Sequence, residues 1–187
     1  APVDFFDGAM FDGDYIHDVP GLYGRTIAYQ PLFISGCIVS RPLFDQIGGF
    51  NTQFNNIGGE DWEFTLRVIG AGRVVLTRQP LIRIRKHDSN QSGDSVRQVR
   101  GTAHILEYAL AHHPGAALFK DQIRRSIEER RLIAFNGAFA TAKFEVAKEM
   151  FAMLKERPSD LRFRLKVLIL KMPAPLRRVL WKLTQTG

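Results

Sequence analysis

From Ser95 onward the sequence carries apolar residues at helical spacing almost without interruption, which leaves little room for sheet in the second half of the chain. Helices are predicted near 95–112, 117–136, 140–156, 160–172 and 175–184. The stretch 138–155 sets Ala, Phe, Val and Met three and four residues apart and loosely resembles the segment before it, so the two are expected to form a helical hairpin. Two such segments are too few for a repeat array. The polar run 88–94 precedes the change and places a boundary near Ser95.

Upstream of that boundary the texture is mixed. Residues 3–6 read as a short strand, followed by a turn around Asp12-Gly13-Asp14. The apolar run within 31–40, broken at Gly36, is expected to be a buried segment with its backbone close to something else. A short helix over 42–47 should end at Gly48-Gly49, where the first glycine can take the left-handed conformation. Asp61 stands where a helix N-cap belongs, and Trp62, Leu66 and Ile69 follow on one face before Gly70 and Gly72. Two short strands, 73–77 and 81–85, complete this half.

The chain has 187 residues, enough for a substantial core, and a single cysteine, Cys37, which excludes an internal disulfide framework and a multi-thiolate metal site. A reducing compartment, and so the cytoplasm, is the expected location. No uninterrupted apolar run approaches the roughly 18–20 residues of a membrane span. The formal charge of +7 lies entirely in 155–187, where nine basic side chains face two acidic ones. That segment alternates Arg and Lys with Leu, Val, Ile and Phe, and prolines at 173 and 175 divide it into two short amphipathic helices. Such helices either lie on an anionic membrane surface, here the inner face of the cell membrane, or pack their apolar side on the protein. Nucleic acid is not an expected partner, because no reading module or stacking platform accompanies the charge.

The stretch richest in chemistry is Gly58-Gly59-Glu60-Asp61-Trp62-Glu63-Phe64-Thr65-Leu66-Arg67. A glycine pair here delivers two adjacent carboxylates to a helix start, where the positive end of the helix dipole favours them. By itself this is either a reactive site or an ordinary acidic helix start. Trp62 has two readings, stacking on a bound ring or packing in the core with Leu66 and Ile69, and the second is favoured. Arg67 reads as the structural partner of a carboxylate, and His17, His104, His112 and His113 have no assigned role.

Phe33 to Arg41, then Phe44, Gly48-Gly49-Phe50, Gly59-Glu60-Asp61 and Arg67 occur in an order that resembles the acceptor-side half of family 2 glycosyltransferases and their relatives. Those relatives include the β-1,4-galactosyltransferases with their Gly-Gly-Glu-Asp segment. The resemblance covers roughly residues 1–95, and 35–67 is its specific part. It implies an α/β fold, a truncated Rossmann-like GT-A domain over 1–95, with a helical C-terminal region over 96–187. It implies inverting transfer of a sugar from a nucleotide-sugar donor, most simply a UDP-sugar, to a saccharide or lipid-linked acceptor in surface polysaccharide assembly.

Carried over residue by residue, Asp61 becomes the general base and Glu60 its support. Gly36, Gly59, Trp62 and Arg85 become donor- or acceptor-binding positions. His87, at the end of a basic strand, becomes a ligand of a divalent metal, Mn²⁺ or Mg²⁺, on the donor diphosphate, or else remains a solvated strand-end histidine. The family's nucleotide-binding half is not recognisable, and Asp12-Gly13-Asp14 fits a hairpin turn better than the metal motif. The fragment is therefore expected to be inactive alone, and a non-catalytic carbohydrate-binding or docking module is the alternative.

Overall fold

The computed structural model describes residues 15–17, 21–28, 34–55, 57–77 and 95–184. The predicted strands 3–6 and 81–85, the turn at Asp12-Gly13-Asp14, and Arg85 and His87 lie outside them. In chain order the described elements are β1 (Tyr15–His17), α1 (Leu22–Ala28), α2 (Arg41–Ile47), α3 (Glu60–Ala71), β2 (Val75–Thr77), α4 (Ser95–His112), α5 (Lys120–Ala140), α6 (Phe144–Met153), α7 (Leu161–Lys171) and α8 (Ala174–Leu183). Short 3₁₀ turns stand at Ile34–Gly36, Thr52–Phe54 and Pro114–Phe119.

This architecture overturns the expected α/β, Rossmann-like GT-A fold. Among the described residues the sheet is one antiparallel pair, with Tyr15 opposite Thr77 and His17 opposite Val75. A Rossmann-like layer needs several parallel strands joined by crossover helices, and three-residue antiparallel strands do not supply one. The apolar run before α2 is also not the buried segment expected. It opens as a 3₁₀ turn, Gly36 is exposed, and the Ile38 side chain is fully in solvent.

The helices pack around two cores. In the first, Tyr23 and Ile27 of α1, Phe54, and Trp62 and Leu66 of α3 meet Ile105, Leu106 and Ala109 of α4 and Ile123 and Ile127 of α5. In the second, Ala134, Phe135, Ala138 and Phe139 of α5 meet Ala147 and Met150 of α6 and Phe163, Ile169 and Leu170 of α7. The first core thus draws on both sides of residue 95. Helix α5 reaches both because its 21 residues extend for about 30 Å at ~1.5 Å per residue, with apolar positions three and four apart along its length.

The hairpin between α5 and α6 forms as the spacing predicts. Ala142 turns the chain with φ 56, and the Lys143 amide donates to Ala138 O at 2.8 Å, closing the end of α5. Arg131 of α5 pairs with Glu107 of α4 and with Glu128, and donates to Met153 O at 2.9 Å, fastening the far end of α6. Asp160 caps α7 by accepting from the Phe163 amide at 2.9 Å.

Candidate active site at the start of helix α3

Helix α2 ends where the sequence places it. Gly48 is its C-cap at φ 78, and the Gly48 amide donates to Phe44 O. Helix α3 begins two residues earlier than predicted: Gly59, not Asp61, is the N-cap, and Glu60, Asp61 and Glu63 all fall in the first turn. Gly58 and Gly59 have φ of 89° and 98°, the left-handed region in which a Cβ is strained. Space reinforces the choice, because a Cβ on Gly59 would stand 3.0 Å from Ile105 Cγ1.

Gly101 of α4 lies under this turn. A Cβ there would stand 2.6 Å from Gly58 O and 2.9 Å from Ile57 O, both backbone atoms that cannot rotate away. Gly101→Ala is therefore expected to destabilise the chain by about 1–3 kcal/mol through overpacking. Because it pushes on the Gly58-Gly59 turn, it should also shift the amide resonances of Glu60 and Asp61. A thermal melt and an amide correlation spectrum check both effects; an unchanged melt would show that α4 and the turn are not in close contact.

Glu60 and Asp61 are partly exposed. Asp61 Oδ1 accepts from the Trp62 amide at 2.7 Å, and Asp61 O accepts from Thr65 Oγ1 at 2.7 Å. The Cys37 thiol is pushed up by burial and then by the Asp61 carboxylate. The structure thus places Gly59, Glu60 and Asp61 together at the start of α3. It does not bring Trp62 to a sugar. The Trp62 ring is 1% exposed, its Nε1 donates to Thr26 O at 2.8 Å, and Arg130 lies over it at 4.7 Å. Its work is to lock α3 to α1 and α5, so the stacking role gives way to the core one.

Beneath the first turn is a polar cluster. Glu63 and Arg67 are four residues apart on one helix face, and Glu63 is 1% exposed. Arg67 grips Glu63 with two hydrogen bonds, Nε to Oε1 at 2.7 Å and Nη2 to Oε2 at 2.8 Å. The same guanidinium donates to Ile47 O at 2.6 Å, Gly48 O at 3.2 Å and Gly49 O at 2.8 Å. It thereby satisfies carbonyls at the C-terminus of α2 that have no intrahelical partner.

His113 Nε2 completes the cluster at 3.1 Å from Glu63 Oε1. Burial acts to raise the Glu63 carboxyl, but hydrogen bonds from His113 and Arg67, and their charge, outweigh it and hold it below the usual carboxylate range. The Tyr23 hydroxyl is pushed up to about 12 by burial and then by Glu63. On the outer side of α3, Phe64 packs against Phe50 at 4.7 Å and Phe44 at 6.0 Å between ring centres. The loop after α2 is therefore held to α3 by both a polar and an aromatic contact.

The expected structural role of Arg67 is met, with Glu63 as the carboxylate. Sequence reasoning missed Glu63 and His113. The i, i+4 spacing of Glu63 and Arg67 was a usable signal, whereas the pairing of Glu63 with His113 joins elements fifty residues apart and has no local signature.

A recess of about 480 Å³ adjoins the glycine turn at Ile57 and Gly101, with Arg100, His104, Glu107 and Arg131 on its walls. Asp61 is not among its lining residues. Among the described residues no group of three or more His, Cys, Asp or Glu side chains is placed to hold a metal ion.

No curated protein and no solved structure matches the chain. Residues 23–88, from α1 through the glycine turn, Asp61 and β2, match the family model described as the N-terminal domain of galactosyltransferase, which supports a glycosyltransferase domain over this part of the chain.

Proposed function

We propose that this chain carries the acceptor-side site of an inverting, nucleotide-sugar-dependent glycosyltransferase, with Asp61 as general base. The observation that carries the reading is the placement of Asp61. It is a partly exposed carboxylate in the first turn of α3, on a glycine turn that is fixed from below by Gly101. An alcohol is a weak nucleophile at neutral pH, so a carboxylate within hydrogen-bond reach must take its proton as the oxygen attacks the anomeric carbon. In this reaction the acceptor O–H bond breaks toward Asp61 and the new C–O bond forms. The bond from the anomeric carbon to the nucleotide diphosphate breaks on the opposite face, with its electron pair leaving on the diphosphate. Glu60, next to Asp61 and partly exposed, supports the base or accepts a hydrogen bond from another acceptor hydroxyl.

The Glu63–Arg67–His113 cluster has a positioning role beneath this site. It fixes the end of α2 against α3, so the Gly48-to-Phe50 loop and the first turn of α3 keep one geometry. The recess beside Ile57 and Gly101 offers arginines, a histidine and two carboxylates, groups that suit a hydroxyl-rich acceptor. Arg85 on the donor diphosphate, and His87 with a divalent metal, belong to the same reading; both lie outside the described residues. A UDP-sugar donor, a saccharide or lipid-linked acceptor, and surface polysaccharide assembly follow from the resemblance.

Product stereochemistry tests the reading. The full-length protein, given an α-linked UDP-sugar and a saccharide acceptor, is expected to form a β-linked product, read from the coupling of its anomeric proton. A product that keeps the donor configuration would contradict direct displacement with Asp61 as base.

A further inference from the structure

We infer that α7 and α8, with the cavity they form against α6, are a docking surface for an anionic phospholipid bilayer. Three separate observations support it, and none depends on the Asp61 site.

The first is exposure. Each of these helices turns apolar residues both inward and outward. On α7, Phe163, Ile169 and Leu170 are buried in the second core. Leu161, Leu165 and Leu168 stand in solvent at i, i+4 and i+7, with Leu161 81% exposed. On α8, Trp181 turns in and its Nε1 donates to Phe139 O at 2.7 Å. Leu176, Val179 and Leu183 stand outward at i, i+3 and i+7, each about half exposed or more. On α8 the outward apolar row opposite exposed basic residues is the pattern of an interfacial helix, and α7 adds a second exposed apolar row beside it in the chain.

The second is charge. Seven of the nine basic side chains of 155–187 lie on α7 and α8, which carry no acidic residue. Arg162, Arg164, Lys171, Arg178 and Lys182 are exposed and flank the apolar rows. Apolar rows bordered by Arg and Lys complement a surface that has acyl chains below and phosphates above. A nucleic acid would meet the same charge but offers nothing for six exposed aliphatic side chains.

The third is a cavity of about 480 Å³ where α7 turns into α8 against α6. Lys148, Lys171 and Arg177 line it over an apolar floor of Phe151, Val167 and Leu170, and no carboxylate is among its lining residues. The exposed Glu145 pairs with Lys148 at 2.9 Å and with Arg177 at 3.6 Å. Arg177 Nε is buried and has no hydrogen-bond partner. Arg177 and the two lysines give the cavity a positive lining that suits a lipid phosphate. The apolar floor suits the chain of the same lipid.

Flotation of the full chain with vesicles tests the inference, using phosphatidylcholine alone and phosphatidylcholine with a quarter phosphatidylglycerol, at ~0.1 M salt. Binding to the anionic vesicles and not to the neutral ones is expected. Neutralising three cations (Lys148→Gln, Lys171→Gln, Arg178→Gln) should weaken binding on the order of a hundred-fold, at about five-fold per charge. A second variant, Leu165→Asn with Val179→Asn, alters only exposed side chains and should also weaken binding while leaving the thermal melt in place. Equal binding to both vesicles, no binding by a folded chain, or binding that both variants leave unchanged would overturn the inference. Tighter retention by an oligonucleotide than by anionic vesicles would also overturn it.

Discussion

Replacing Glu63 by alanine is expected to cost about 3–5 kcal/mol, the penalty for leaving one member of a buried ion pair without its partner. Arg67 would keep its three carbonyl acceptors at the end of α2 but lose both carboxylate bonds, and His113 Nε2 would lose its acceptor in a buried setting. For a chain of this size the midpoint of thermal unfolding should fall on the order of 10 °C. A melt within a degree or two of wild type would mean that the cluster does not hold α2 to α3.

The same residue sets an acid dependence. The folded Glu63 carboxyl lies below its unfolded value of about 4.3. Its contribution is therefore fully present above that pH and is lost as the pH falls through the folded value. The wild-type melting temperature should drop more steeply below about pH 4 than that of Glu63→Gln, because a neutral amide has no charge to lose. Parallel pH profiles for the two proteins would contradict the assignment.

The local grammar of the chain was legible where a rule acts within one or two turns. Gly48 stops α2 because a left-handed residue is needed there. The five C-terminal helices follow the apolar spacing, with ends a few residues from the expected ones. The start of α3 was misplaced by two residues because Asp61 looks like a capping side chain, whereas the glycine pair has already turned the backbone. An aspartate in the first turn satisfies the helix dipole as well as one at the cap does.

Fold class was not legible, and the reason is length and partners. The run around Ile38 has strand composition, but a strand needs a neighbour, and among the described residues only β1 and β2 pair. Nothing local distinguishes an apolar run that pairs from one that turns through a 3₁₀ segment into solvent, as residues 34–38 do. The division at residue 95 is a change of texture and not a gap in packing, since Trp62 and Leu66 share a core with Ile105 and Ile123. At the site, the resemblance singled out Gly59, Glu60 and Asp61, and these stand together at the cap and first turn of α3. His113 could not have been assigned, because its partner Glu63 becomes its neighbour only when α4 packs on α3.

The second large effect concerns chemistry. Asp61→Asn should leave the fold intact, because the side chain is partly exposed and an amide oxygen can still accept from the Trp62 amide. What it removes is the ability to take a proton, and loss of a general base typically costs about 10² to 10⁴ in rate. Donor binding should be kept, since in this account Asp61 acts on the acceptor. The direct measurement is sugar transfer by the full-length protein, wild type and Asp61→Asn side by side, with UDP-galactose as donor, a panel of saccharide acceptors and a donor-binding isotherm for each protein. The account predicts a fall of at least a hundred-fold in transfer with an unchanged isotherm and melt; transfer by the variant at the wild-type rate would contradict it.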